Sequence, residues 1–304
     1  VIFPASQIDD FIIARSDGTP TYNFVVAIDD YLMEVSDVIR GDDHLSNTPK
    51  QILVYDALGF KVPNFFHIPM ILNEQGKKLS KRDNAANVMD YKEQGYFSQA
   101  LLNYLVRLGW SSGDQEIFSM EAMIDKFNPL DINKSASAIN KDKLIWLNSH
   151  YLKNFSNDYL CEALEDIGIF LNNHDKTDIL LDSIKSRAKT LIEIKETISL
   201  VLSKPSSYDK KAIKKHIKEN SLKILEKYIN SCEDASFALP SDCEKHFTKF
   251  LETEDLKMPQ LAQPLRIALL GVTNSPAIYD IVCVLDKDEI TTRVKSFFVF
   301  LETQ

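Results

Sequence analysis

Hydrophobic residues follow two different rhythms along the 304-residue chain. Over the first 65 residues they come as short runs between turn signals, the pattern of an α/β segment. Val1 to Ile13 reads as strand-like material already under way. Asp17-Gly18-Thr19-Pro20 marks a turn, and the aromatic and β-branched run Tyr22 to Ile28 after it predicts a buried strand. A second strand is predicted over Val35 to Arg40, leading into Gly41-Asp42-Asp43-His44. The next helix is expected to start with Thr48 as N-cap, Pro49 at the first helical position and Gln51 completing a capping box. Ile52, Leu53 and Leu58 would form its apolar face, and Gly59 ends it.

Beyond Phe66 the helical period takes over. Ala100, Leu101, Leu102, Tyr104, Leu105 and Leu108 are spaced for a helix over Ser98 to Leu108, closed by Gly109. Further helices are predicted at Met120 to Phe127 and at Lys141 to Tyr151, where Leu144, Leu147 and Tyr151 share a face. From about residue 153 onwards strand signals nearly vanish, and Lys204-Pro205-Ser206-Ser207 is the best linker candidate. Lys210, Lys211, Lys214, Lys215 and Lys218 oppose Ile213 and Ile217, which predicts an amphipathic helix with a solvated basic side. Contact with an RNA backbone is the alternative use of that side.

Composition adds limits to this outline. With 44% hydrophobic and 26% charged residues the chain has the make-up of a soluble globular protein, and its length points to two or three domains. No apolar run approaches the roughly 18 residues that span a bilayer. Val1-Ile2-Phe3-Pro4 has neither the basic flank nor the apolar core of a signal peptide, so the cytoplasm is the expected location. The 4 cysteines (Cys161, Cys232, Cys243, Cys283) are scattered without a C-x-x-C, and are read as small apolar residues rather than disulfide or zinc partners. A net charge of −9 argues against non-specific nucleic-acid binding, DNA included, but leaves room for a specific RNA held by local patches.

Two clusters could carry chemistry. Lys77, Lys78, Lys81 and Arg82 crowd around Ser80 in the stretch Gly76 to Val88. Ile71 stands where a Walker A loop needs its first glycine, and Lys78 where it needs a hydroxyl, so this is not a P-loop. A cationic loop can neutralise charge on a leaving pyrophosphate without any proton transfer; a solvated basic turn has the same composition. The second cluster, Arg40-Gly41-Asp42-Asp43-His44, sits at the carboxyl end of a predicted strand, where open α/β sheets bind ligands. The planar fork of Arg40 suits a carboxylate, although a local Arg–Asp pair would use the same residues. Asp42 and Asp43 lack the further ligands of a metal site, and His44 and His67 lack a nucleophile signature, so neither a metal centre nor a hydrolase is expected.

Taken in order, Asp17-Gly18-Thr19-Pro20-Thr21-Tyr22-Asn23-Phe24, Val38 to Pro49, and Lys78-Leu79-Ser80-Lys81-Arg82 closely resemble the bacterial glutamyl-tRNA synthetases. The match continues through Ala100 to Leu105, Leu108-Gly109-Trp110, Trp146-Leu147-Asn148 and Ala262-Gln263-Pro264-Leu265-Arg266. This resemblance implies the α/β C-terminal remnant of a Rossmann-type class I catalytic domain over residues 1–65. A mainly helical stem-contact region over 66–152 would follow, then an all-α anticodon-binding domain with subdomains at 153–203 and 204–304.

The implied reaction joins L-glutamate to ATP as glutamyl-adenylate and then to the 3′ end of tRNA(Glu), in a monomeric enzyme with magnesium accompanying ATP. By resemblance, Lys81 and Lys78 act on the phosphates in a KMSKS-like loop. Asp43, Ile71, Ser80 and Arg82 complete the ATP site, Arg40 and Tyr22 hold glutamate, and Arg187, Arg266 and Ser275 read the anticodon. Asp83-Asn84 departs from the family's usual His-Gly after the loop. None of the 6 histidines belongs to a His-x-Gly-His signature, the family's first ATP motif. The chain is therefore expected to be a fragment inactive in adenylation. Rival expectations are a glutaminyl-tRNA synthetase relative, disfavoured by the helical second half, and a non-catalytic tRNA-binding or scaffold protein.

Overall fold

The run that begins at Tyr22 is a helix, not a strand. In the computed structural model, which describes residues 1–79, 87–171, 174–233 and 235–303, α1 spans Tyr22–Leu32 after an extended Thr21. A short apolar run cannot by itself separate strand from helix. Here packing decides: Ala27 is fully buried with Val54 and Tyr55 of α2 (Thr48–Leu58), and Phe24 packs on the same cluster. Val1 to Ile13 is not strand-like either; it holds a single 3₁₀ turn, Ala5–Gln7, and no ladder partner is found for it among the described residues.

One unit of the chain comprises Val1–Asp90 and Ser98–Leu147. Its centre is a β-α-β arrangement in which β1 (Asp37–Gly41) pairs in parallel with β2 (Asn64–Ile68) across α2. Parallel neighbours need such a crossover. The capping box expected at Thr48 does not form. A 3₁₀ turn, Asp42–Asn47, delivers the chain already helical at Asn47 (φ −82, ψ −29), so Thr48 is the first residue of the helix and its hydroxyl is used elsewhere. Gln51 donates to Asn23 Oδ1 at 3.2 Å instead of reaching back. The buried face is also different: Thr48, Gln51, Val54 and Tyr55 face inward, whereas Leu53 and Leu58 are exposed. Gly59 ends the helix in the left-handed region at φ 69. The short parallel pair β3 (Ile71–Leu72) and β4 (Ser137–Ala138) follows, along with α3 (Val88–Glu93), α4 (Ser98–Gly109), α5 (Met120–Lys126) and α6 (Lys141–Asn154).

The other unit, Tyr91–Phe97 with Asn148–Gln304, contains no strand among the described residues. Its helices are α7 (Asn157–Glu165), α8 (Thr177–Lys185), α9 (Leu191–Leu202), α10 (Lys210–His216), α11 (Ser221–Ser231), α12 (Pro240–Thr253), α13 (Met258–Leu270) and α14 (Ile278–Glu302), the last broken at Asp286. Leu160, Ile194, Leu225, Phe247, Leu265 and Phe297, all fully buried, belong to one core that takes side chains from both sides of Lys204–Ser207. Cys232, Cys243 and Cys283 are buried within it and Cys161 half-buried; burial pushes the Cys232 thiol up to about 12 and raises the other three as well, which disfavours the thiolate form. Among the described residues, no helix is long and apolar enough to cross a membrane.

Candidate functional site

The sheet register places the first site. Arg40 of β1 lies directly beside His67 of β2. Arg40 Nη2 donates to Thr48 Oγ1 at 2.7 Å, and Nε donates to His67 Nε2 at 3.5 Å. Its guanidinium carbon stands 5.2 Å from the centre of the Phe65 ring. A guanidinium can only donate, so His67 must present a lone pair at Nε2 and carry its proton on Nδ1. Thr48 Oγ1, 2.9 Å from the same nitrogen, closes the triangle. Burial, reinforced by the positive charge of Arg40, holds His67 below the usual imidazole range and therefore neutral. Among the described residues no carboxylate forms an ion pair with Arg40. Asp30 feels its field, but burial pushes that carboxyl up more than Arg40 pulls it down.

Around this arginine stand the other expected residues of the unit. Tyr22, at the start of α1, brings its hydroxyl 3.2 Å from His44 Nδ1, which also accepts from Asn47 Nδ2 at 3.3 Å. Asp43 Oδ2 is 3.6 Å from Lys78 Nζ, so the basic loop is tethered to the end of β1 by an exposed ion pair. Gly41 leaves room for that carboxylate: a Cβ there would lie 2.6 Å from Asp43 Oδ1. Ile71 accepts through its carbonyl from Leu79 N at 3.1 Å, in the turn that begins the loop. Its side chain lines an apolar cavity of about 280 Å³ with Ile68, Pro69, Trp110 and Phe127. Ser80, Lys81 and Arg82, with Asp83 and Asn84, lie outside the described residues.

The second unit brings together three residues far apart in sequence. Arg187, in the turn after α8, donates through Nη1 to the Ser275 carbonyl at 3.1 Å. Arg266 of α13 donates through Nε to the Ser275 hydroxyl, also at 3.1 Å. Burial, then the charge of Arg187, pulls the Arg266 guanidinium below its usual range. Two like charges are thus held close, with neither in an ion pair among the described residues. Arg187 and Ser275 line a cavity of about 160 Å³ with Glu193, Thr197 and Asn274. The cavity offers the donor fork of Arg187, the Asn274 amide and the Ser275 backbone, with Arg266 behind Ser275, which is chemistry for base edges.

Sequence alone gives Thr48 only the place of an N-cap and His67 no role in the site, because their contact with Arg40 depends on the β1–β2 register, which a single sequence does not state. Glu193, Thr197 and Asn274 carry no motif and enter only through the packing of α9 and the loop after α13.

Residues 1–146 match the family described as tRNA synthetases class I (E and Q), catalytic domain, and residues 145–298 match the family described as Anticodon binding domain. Glutamate–tRNA ligase 2 of Nitratiruptor sp. is 55% identical over 295 residues, covering 97% of this chain and 64% of that protein. Glutamate–tRNA ligase 1 of Aliarcobacter butzleri is 56% identical over 294 residues, covering 96% of this chain and 63% of that protein. The chain thus spans just under two thirds of the length of these relatives. Among solved structures, a glutamate tRNA ligase from Elizabethkingia meningosepticum in complex with its amino acid superposes with a TM-score of 0.82 at 28% identity, over 96% of this chain and 62% of that one.

Proposed function

The chain belongs to the class I tRNA synthetases (E and Q), and from that membership we propose a glutamate–tRNA ligase that activates L-glutamate with ATP and passes the glutamyl group to the 3′ end of tRNA(Glu). Arg40 pairs with the side-chain carboxylate of glutamate, and Tyr22 lines the same pocket. Asp43, Ile71 and Lys78, with Ser80, Lys81 and Arg82, hold ATP, and Lys81 and Lys78 offset the charge that develops on pyrophosphate. Arg187, Arg266 and Ser275 read the anticodon. The reading carries with it a cytoplasmic, monomeric enzyme. Magnesium would accompany the ATP phosphates, and among the described residues no group of three His, Cys, Asp or Glu side chains is arranged to hold a metal.

One observation carries the choice of glutamate. Arg40 is oriented by Thr48 and His67, half-buried, and without a carboxylate partner among the described residues. An oriented cation of this kind favours a carboxylate over a neutral amide, because the amide would leave the charge unpaired.

The test is glutamate-dependent ATP–pyrophosphate exchange by the complete gene product. Arg40→Gln is expected to raise the KM for glutamate about a hundredfold, roughly 2.7 kcal/mol, with the KM for ATP unchanged. An unchanged glutamate KM would refute the assignment. The 304 residues alone, which hold no His-x-Gly-His signature, are expected to bind tRNA without catalysing exchange. A second reading, a non-catalytic tRNA-binding protein, prevails if the complete gene product binds tRNA but shows no exchange.

A further inference from the structure

α10 and the residue that follows its cap carry a charge pattern unlike the rest of this acidic chain. Lys210, Lys211, Lys214, Lys215 and Lys218 are all exposed, and none of them forms an ion pair among the described residues. Only Asp209 and Glu219 flank them, and the Asp209 carboxylate is already occupied, accepting from Lys211 N and Ala212 N as the N-cap. The opposite side of the helix is spent on packing: Ala212 is buried, and Ile213 and Ile217 lie against the core. Spacings of i, i+1, i+4 and i+5 put the ammonium groups of Lys210, Lys211, Lys214 and Lys215 in one stripe, roughly 7.5 Å long at 1.5 Å per residue, and Lys218 follows just beyond the helix, past the extended Ile217.

The stripe is also fixed to the arginine cavity. Asp209 N donates to Gly271 O at 2.9 Å. Gly271 is the left-handed cap of α13 (φ 77), and a Cβ there would collide with the Ser207 carbonyl. The residues just beyond it, Asn274, Ser275 and Pro276, line the cavity with Arg187. The backbone that starts the lysine helix is therefore clamped to the root of the loop that presents Ser275 to both arginines.

We infer that the α10 lysine face is a second, sequence-independent part of the RNA interface, which grips backbone phosphates of the tRNA arm whose bases enter the arginine cavity. This rests on the proposed reading of that cavity as an anticodon site. Phosphate contacts set register and affinity while base contacts set specificity, and the two kinds are expected side by side. A chain with a net charge of −9 repels RNA at long range, so a local row of unpaired ammonium groups is where attraction would be concentrated. Unpaired lysines facing water lose nothing on binding except their counterions, and the release of those ions is the driving term.

The test is binding of the 304-residue chain to a tRNA(Glu) transcript over a range of KCl concentrations. The variant is the fourfold Lys210→Gln, Lys211→Gln, Lys214→Gln, Lys215→Gln, with circular dichroism checking the helix. Each lost phosphate contact should reduce the slope of log K against log [KCl] by about 0.7–0.9. The variant should therefore bind about 10- to 100-fold more weakly near 0.1 M salt, with a slope shallower by about 3 and an unchanged preference for the tRNA(Glu) anticodon. Arg187→Ala with Arg266→Ala should do the reverse, removing the anticodon preference while changing the slope by less than about 2. If the parent chain binds tRNA and the lysine variant matches it in affinity and slope, the proposal is overturned and the face belongs to solvent or to an acidic protein. If the parent chain binds no tRNA at all, the anticodon reading falls and this inference falls with it.

Discussion

Removing the guanidinium of Arg293 should unlock the second unit at the point where two helices end. Arg293 is 1% exposed. Nη1 donates to the carbonyls of Val201 and Leu269, both at 2.9 Å, and Nη2 donates to Leu202 O at 3.0 Å. Nε meets Glu289 Oε1 one turn earlier at 2.8 Å. The three carbonyls belong to the last turns of α9 and α13, where a helix has no amide of its own to offer and carries partial negative charge. In Arg293→Met the volume is nearly kept, but three buried acceptors and one carboxylate lose their donor. Each unpaired buried acceptor costs about 1–3 kcal/mol. The costs do not simply add, since the neighbours relax and Glu289 is 30% exposed and can turn to water. Breaking a buried charged network by removing one member typically costs about 3–5 kcal/mol, and that range is expected here. It amounts to roughly a hundredfold to several-thousandfold in the folded population.

Urea denaturation followed by far-ultraviolet circular dichroism measures the loss. Amide hydrogen exchange places it, because two units need not unfold as one transition. Protection should fall first at the C-terminal turns of α9 and α13 and across residues 203–209. Arg293→Lys should recover only part of the loss, because a single ammonium cannot reach all four acceptors in the geometry of the fork. A loss below about 1 kcal/mol in Arg293→Met, with exchange unchanged at those two turns, would refute the argument.

Asn148 is a smaller version of the same device: fully buried, it accepts from Phe97 N at 2.9 Å and donates to Lys189 O at 2.6 Å, so Asn148→Leu should cost about 2–4 kcal/mol in urea denaturation. Gly95→Ala combines a positive φ of 82 with a Cβ only 2.7 Å from Ile192 N, and should cost a similar amount, about 2–4 kcal/mol, with lost exchange protection at Leu191 N, which donates to Gly95 O. His67 is held neutral in the fold, so between its lowered folded value and the ordinary imidazole value of 6.5 the unfolded chain binds more protons. Stability should therefore fall as pH drops from 7.5 to 5.5, and the urea midpoint of His67→Gln should show a smaller fall; identical pH profiles would contradict the neutral assignment.

What the sequence settled by itself is local or ordered along the chain. The succession of motifs from Asp17 through Arg40 to Lys78, the helical period after residue 98, and the glycine stop at Gly59 are all carried by residue identity and spacing. Each therefore survives without knowledge of what packs against it. The family followed from the order of the motifs, and Arg187, Arg266 and Ser275 could be nominated as a set from it. Tertiary structure decided whatever depends on partners distant in sequence. The run Tyr22 to Ile28 has β-branched residues enough for a strand, but Ala27 has its neighbours on α2, and burial outweighs propensity of a few tenths of a kcal/mol per residue. Thr48 has the identity of an N-cap, yet its hydroxyl goes to Arg40 and His67, because the parallel register sets those two residues side by side 27 positions apart. The meeting of Arg187 and Arg266 at one serine, across gaps that loop-closure entropy alone would oppose, likewise exists only because a shared core holds their helices together.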